Sequence, residues 1–328
     1  MNPILSAICQ KEQLPLNEIT PLSGGQINLV FQAGPECVLR VARTPEASHR
    51  LLVEARVLQS LENTLPVPKI LAAGEVDGLA YQVQRRLPGD KLHRRWPELA
   101  AAQKESIIAQ LGQHLDTLHR LPLPSTTPGE LVGAQSWGLL HNSAGSPTTW
   151  TDFCQAWLDT SQRALSKLPA DAITQRVLEL VNEAFTRNLP YLAASQAALV
   201  HADLWPGNIL VEAGAVTGIL DFEFAHAAPR DYELLLIEDF CLYPNDFVEE
   251  DFEHVCAADY ADFFRLLQEH TPGLFSIPHL RERLDLYHLL FNLQRFAAFR
   301  RAGASGAVLA KLARITNILF GHGVRMFM

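Results

Sequence analysis

The 328-residue chain contains no apolar run approaching the ~18 residues that a membrane helix needs, so no helical membrane span is expected. Its opening, MNPILSAICQKEQ, has neither a basic n-region nor a long apolar stretch, and no secretory signal is expected there. Cysteine is sparse. Cys9, Cys37, Cys154, Cys241 and Cys256 are odd in number, scattered and without a CxxC pair. That speaks against a disulfide or zinc framework and fits the reduced thiols of a cytoplasmic protein. Basic residues are also in the minority, 27 Lys and Arg against 36 Asp and Glu, for a net charge of −9. A nucleic-acid partner would want the opposite balance. Internal repeats and low-complexity segments are missing as well.

What is present is an ordinary globular composition, 48% hydrophobic and 19% charged. The length suits two domains, or one large domain divided into lobes. The acidic balance reads either as a solubility device or as an attraction for a cationic substrate.

Along the first ~90 residues, strand patterns outnumber helical ones. Ile27–Gln32 and Cys37–Arg43 flank Ala33-Gly34-Pro35-Glu36, a hairpin signal. Residues 46–62 carry Leu51, Leu52, Ala55, Leu58 and Leu61 at helical spacing. Lys69–Gly74 and Leu79–Arg85 read as two more strands around the turn Val76-Asp77-Gly78. The pattern breaks at Leu87-Pro88-Gly89. Beyond it the chain is largely helical, over Glu98–Arg120, 176–187, 280–300 and 305–320, with a loop or insertion at 121–148. Thr149-Trp-Thr-Asp152 reads as a capping box opening another helix. The only strands expected in this half are Ala198–His201, Asn208–Glu212 and Val216–Leu220. The expectation is therefore an α+β, bilobal chain, with a small β-rich lobe at 1–87 and a larger helical lobe at 88–328.

The segment LVHADLWPGNILV, residues 199–211, interrupts strand-like sequence with His201, Asp203 and Asn208. Asp203 sits where a strand yields to a turn, so its carboxylate can face a cleft. Asn208 follows as the next strand begins, and Asp221 ends the strand after that. The intervening hairpin, turning at Ala213-Gly214-Ala215, makes Asn208 and Asp221 neighbours. An amide oxygen and a carboxylate together form a hard oxygen set suited to Mg²⁺. Asp203 beside them can accept a proton from an attacking hydroxyl.

H-x-D-x-x-x-x-N followed by a strand and Asp resembles the signature of the aminoglycoside phosphotransferase and choline kinase-like superfamily, small-molecule relatives of protein kinases. Leu22-Ser23-Gly24-Gly25-Gln26-Ile27-Asn28 is similar to that family's nucleotide loop, whose glycines let backbone N–H groups approach phosphates. Arg40 in Val38-Leu39-Arg40-Val41 matches the strand lysine that grips phosphate, and Glu54 matches the helix glutamate that pairs with it. Leu65-Pro66-Val67-Pro68 and Leu87-Pro88-Gly89 also match, and the resemblance covers about residues 20–240.

The resemblance implies a protein-kinase-like fold and an ATP- and Mg²⁺-dependent phosphotransferase acting on a small-molecule hydroxyl. Ser23, Gly24, Gly25, Gln26 and Asn28 would lie over the phosphates, with Val38 against the adenine and Arg85, Arg86 and Leu87 as hinge. Asp203 would be the catalytic base and Asn208 and Asp221 the metal ligands. His201 and Asp231 would brace the loop structurally. Arginine at 40 departs from the family's lysine; it keeps the charge but is not equivalent. Ala202 stands where antibiotic kinases carry glycine, with ordinary backbone angles expected of it. Asp221-Phe222-Glu223-Phe224 looks more like choline, ethanolamine or thiamine kinases.

From Asp231 to Phe264 there are eleven Asp or Glu and no Lys or Arg. These read either as solvated helix faces or as a rim for a cationic substrate, aminoglycoside-like or choline-like, with Glu238, Asp239 and Asp246 as the residues to test. The alternative to an enzyme is a pseudokinase, a nucleotide-binding regulatory module. The intact Asp203, Asn208 and Asp221 set favours turnover.

Overall fold

The computed structural model describes residues 3–22, 27–123, 149–193, 196–247 and 255–321. A first helix, α1 (Pro3–Lys11), precedes a five-stranded antiparallel sheet in the order β1-β2-β3-β5-β4. Its strands are β1 (Ile19–Pro21), β2 (Asn28–Ala33), β3 (Cys37–Ala42), β4 (Ile70–Val76) and β5 (Leu79–Arg85). The expected hairpin forms, with Ala33 opposite Cys37 and Val30 opposite Arg40. Neither α1 nor the short edge strand β1 has a period long enough to show in the sequence.

Helix α2 (Pro45–Leu61) opens with Thr44, whose side-chain oxygen accepts the Ala47 N–H at 3.2 Å, and with Pro45 in its first turn. Leu51, Ala55, Leu58 and Leu61 are buried on one face. Glu54 shares that burial, at 1% exposure, which no solubility argument explains. A charge there requires a partner.

The rest of the chain is mainly helical, including Ala101–Arg120, Trp150–Ser166, Ala172–Asn188, Leu234–Leu242, Ala261–His270, Leu280–Ala302 and Ser305–Phe320. The capping box at Thr149 forms, Thr149 Oγ1 accepting the Asp152 N–H and Asp152 Oδ2 accepting the Thr149 N–H, each at 3.1 Å. Five further strands appear rather than three: β6 (Asp90–Lys91), β7 (Ala198–Val200), β8 (Ile209–Glu212), β9 (Ala215–Ile219) and β10 (His226–Ala228). The two unexpected ones, β6 beside β8 and β10 beside β7, are too short for an alternation to be legible.

Gly89 marks the passage between the β-rich and helical parts. Its φ is +103°, and a Cβ there would lie 2.6 Å from Thr217 Oγ1 and 2.7 Å from the Val211 carbonyl. Only glycine meets both conditions. Among the described residues no helix is long and apolar enough to cross a membrane.

Candidate active site

The β8–β9 hairpin does what the sequence spacing suggests. Ile209 pairs with Ile219, and the Leu220 N–H donates to the Asn208 carbonyl at 2.8 Å. Asn208 and Asp221 are thereby set at one end of the hairpin. Asn208 Nδ2 donates to the Asp203 carbonyl at 2.9 Å and to Asp203 Oδ2 at 3.3 Å. Both its donor contacts are on Asp203, and its Oδ1 has no hydrogen-bond partner among the described residues.

His201, fully buried, takes a defined tautomer. Its Nδ1 accepts the Asp203 N–H at 3.2 Å, so Nε2 carries the proton and donates to the Leu220 carbonyl at 2.7 Å. One neutral ring thus ties the turn of Asp203 to the strand end before Asp221. Burial pulls its pKa down, which keeps it neutral. The structural bracing role expected of His201 is consistent with these contacts.

Arg40, on β3, meets this hairpin with its guanidinium and uses both arms of the fork. Nη1 lies 2.5 Å from Glu54 Oε1, and Nη2 lies 2.7 Å from Asp221 Oδ1. Glu223 Oε2 is 3.7 Å from the same Nη2 and accepts the Asn28 side-chain amide at 3.0 Å. A lysine ammonium is a single point, whereas the planar guanidinium addresses two carboxylates on different elements at once. Burial alone would lower the Arg40 pKa, but Glu54, Asp221 and Glu223 outweigh it and raise it. The guanidinium therefore stays charged.

The acids carry the opposite strain. Burial, with Asp221 and Glu223 nearby, raises the Asp203 pKa well above the usual range despite the Asn208 hydrogen bond. Burial first and the charge of Asp221 second push Glu223 up to about 7. Burial likewise raises Glu54, while Arg40 opposes the rise. A carboxylate with a raised folded pKa costs stability above that value and recovers it as pH falls toward the unfolded value. Glu223→Gln is therefore expected to stabilise the nucleotide-free protein by ~1–3 kcal/mol at pH 8, the gain vanishing near pH 5. Denaturant melts of both proteins across that range check it; a destabilised variant at pH 8 would contradict it.

Glu233 is the residue that sequence reasoning missed. It is 1% exposed, and its two carboxylate oxygens accept the backbone N–H groups of His201 at 2.9 Å and Ala202 at 3.2 Å. His119 Nε2 lies 3.3 Å from it. Although burial pushes the other way, these partners hold its pKa below the ordinary carboxylate value. It anchors the turn directly. Asp231, expected in that role, instead takes Arg283 at 2.6 and 2.8 Å and the Tyr287 hydroxyl at 3.1 Å. Two acids stand two residues apart in a short 3-10 turn, and no spacing rule distinguishes their directions.

Ala202 also departs from expectation. Its φ is +63°, in the left-handed region, rather than an ordinary angle. An L-residue there costs ~1–2 kcal/mol, partly offset because alanine restricts the unfolded chain more than glycine does. Ala202→Gly is expected to stabilise by ~0.5–1 kcal/mol and raise Tm by about 1–3 °C. Calorimetric melting checks this; an unchanged or lower Tm would contradict it.

The remaining candidates divide. Asn28, Arg40 and Glu54 join the cleft as described. Val38 lies opposite Gln84 in the sheet. The Arg85 and Arg86 N–H groups donate to the Lys69 and Glu36 carbonyls, at 2.8 and 2.7 Å. Leu87 packs close to Gly218, where a Cβ would sit 2.8 Å from its Cδ1. Ser23, Gly24, Gly25 and Gln26 lie outside the described residues. Glu238, Asp239 and Asp246 do not form an open acidic rim. Glu238 Oε2 is 2.9 Å from His288 Nε2, Asp239 is buried 3.7 Å from Arg314, and Asp246 takes both Lys311 and Arg314. Basic side chains from the last two helices answer these acids, which the local sequence could not reveal because they are 50 or more residues away.

A family model described as "Phosphotransferase enzyme family" matches residues 18–265. The chain belongs to this family. Hygromycin-B 4-O-kinase of Escherichia coli is 24% identical over 225 residues, 67% of this chain and 61% of that protein's length. An aminoglycoside 3′-phosphotransferase of Streptomyces ribosidificus is 27% identical over 272 residues, 75% of this chain and 91% of its own. Among solved structures, a thermostable mutant of aminoglycoside phosphotransferase APH(4)-Ia, in ternary complex with ADP and hygromycin B, superposes with a TM-score of 0.67. That match has 20% identity and covers 98% of this chain and 100% of that one. It shows the fold: the phosphotransferase architecture is bilobal and protein-kinase-like, as the sequence implied.

Proposed function

We propose that this phosphotransferase moves the γ-phosphate of ATP, with Mg²⁺, to a hydroxyl of an aminoglycoside-like small molecule in the cytoplasm. The observation that carries this reading is the convergence of Asp203, Asn208 and Asp221 opposite the Arg40–Glu54 pair. Asp203 orients the acceptor hydroxyl and takes its proton, a role its raised pKa suits. Arg40 grips phosphate oxygens while Glu54 holds it in place. Ser23–Asn28 is the segment assigned to the nucleotide's phosphates.

The donor set fits Mg²⁺. Asn208 Oδ1 and Asp221 Oδ2 are hard oxygens without hydrogen-bond partners among the described residues, and Asp221 retains 35% side-chain exposure. No group of three or more His, Cys, Asp or Glu forms a metal cluster among the described residues. A pair of protein ligands completed by phosphate and water is the usual arrangement for this ion. When bound, Mg²⁺ neutralises phosphate charge and fixes the transferring group's orientation. It also answers an electrostatic difficulty, since Asp203, Asp221 and Glu223 would otherwise repel the nucleotide.

The acceptor class rests on relatives that phosphorylate aminoglycosides; none of those described supports a choline, ethanolamine or thiamine acceptor. ATP consumption measured with Mg²⁺ and with a chelator, over pooled amino-sugars and pooled simple amino-alcohols, tests the reading. Mg²⁺-dependent consumption with the amino-sugar pool alone supports it. Consumption with the amino-alcohols alone would overturn the acceptor class, and bound ATP without consumption in any pool would favour the pseudokinase.

A further inference from the structure

Four tryptophans lie among the described residues, and one of them differs from the rest. Trp96, Trp150 and Trp157 are buried, and each indole N–H has a partner: Asp262 Oδ1 at 2.8 Å, Tyr287 Oη at 3.1 Å and Gln294 Oε1 at 3.0 Å. This is how a core tryptophan satisfies its polar end. Trp205 is only half-buried, and its indole N–H has no hydrogen-bond partner among the described residues.

Its position is fixed all the same. His93, Phe240 and Phe247 stand around it with ring centroids at 5.3, 5.4 and 5.3 Å. Gly207 forms its floor: a Cβ at that position would lie 2.0 Å from Trp205 Cη2. The ring can sit where it does only because residue 207 has no side chain. Trp205 is also two residues from Asp203. Leu204 between them is 1% exposed and points into the core, while Asp203 and Trp205 both remain partly open. The Asn208 N–H donates to the Trp205 carbonyl at 2.9 Å, so the indole's backbone belongs to the same rigid turn as the catalytic residues.

We infer that Trp205 is the acceptor platform, its indole packing against the ring of a sugar-like substrate and its N–H donating to a ring hydroxyl or ether oxygen. Trp205 shares one turn with Asp203, so a hydroxyl presented to Asp203 would place its parent ring beside that turn. An aromatic surface stacks on the C–H face of a sugar, and a donor at its edge that no described residue engages selects a hydroxylated ring over an alkyl chain. Ring-shaped acceptors are thereby favoured over flexible amino-alcohols. The inference rests on the phosphotransferase reading and specifies the acceptor side of the same site.

Calorimetric titration of kanamycin and of hygromycin B into protein loaded with Mg²⁺ and AMP-PNP tests it. Trp205→Ala is expected to weaken at least one probe about tenfold while AMP-PNP affinity stays within about twofold. Trp205→Phe, which keeps the packing against Phe240 and Phe247 but lacks the N–H donor, is expected to recover only part of that affinity. It also provides an optical readout: a probe-dependent change in tryptophan fluorescence in the wild type should disappear in Trp205→Phe. Equal probe affinity in all three proteins would overturn the assignment. So would parallel loss of probe and nucleotide binding in Trp205→Phe, which would mark a structural role. Absence of any probe binding by a wild type that binds AMP-PNP would overturn the sugar-ring acceptor. Failure of the wild type to bind AMP-PNP would instead strike at the phosphotransferase reading itself.

Discussion

Asp203→Asn is expected to lower kcat by ~10²–10⁴-fold and to leave ATP affinity nearly intact. The substitution is close to isosteric, and the backbone contact from Asn208 to the Asp203 carbonyl does not involve the altered group. His201 and Glu233 likewise hold the turn through backbone N–H groups. The geometry should therefore survive while the proton acceptor is lost. Because burial and neighbouring acids already disfavour ionised Asp203, removing its charge should also not destabilise the nucleotide-free fold. Single-turnover kinetics with nucleotide binding measured in parallel provide the check. Wild-type turnover in the variant would sink the assignment of the base.

The second large effect belongs to Asp221, and the choice of substitution matters. Residue 221 has φ +68° and ψ +57°, a left-handed conformation that asparagine tolerates better than alanine. Asp221→Asn therefore isolates the charge from the backbone. It removes the negative charge that pairs with Arg40 and would face the metal, and leaves a neutral amide oxygen in its place. Arg40 keeps Glu54 and Glu223 as neighbours, so the buried guanidinium is not left without an anion. The gain in ATP affinity that Mg²⁺ provides is expected to fall by at least ~10²-fold. Calorimetry of ATP with and without Mg²⁺ reads this out, and a Mg²⁺-dependent gain equal to the wild type's would refute the metal role.

Which features could be read from sequence follows from how local each one is. The β2–β3 and β8–β9 hairpins depend on adjacent residues and short turns, and both appear where alternation and turn chemistry place them. Helix α2 was equally plain from its leucine spacing, and the structure adds Thr44 and Pro45 as its start. Asn208 and Asp221 could be grouped because one hairpin joins them, and Asp203 because it lies in the turn that leads into that hairpin. Arg40 and Glu54 are close in sequence, and the structure shows that they share one buried ion pair. That Arg40 also reaches Asp221, 181 residues away, was not legible.

The departures all involve long-range or conformational facts. Glu233 acts on His201 from 32 residues away through backbone groups that every residue possesses, so no residue-type pattern reports it. Asp246 looked like an open acid until Lys311 and Arg314 arrived from the C-terminal helix. Ala202 illustrates a further limit. Alanine's composition gives no sign that the loop drives it to positive φ, and only the hydrogen bonds around the turn impose that angle.

Transfer of phosphate to an acceptor hydroxyl through Asp203, Asn208 and Asp221 leaves a product of defined mass. Mass analysis of acceptor incubated with ATP, Mg²⁺ and wild-type protein, beside an Asp203→Asn control, addresses it most directly. The expected result is an amino-sugar acceptor heavier by one phosphate, formed in step with ADP and nearly absent from the control. ADP formed without any phosphorylated acceptor, or equal product from both proteins, would contradict it.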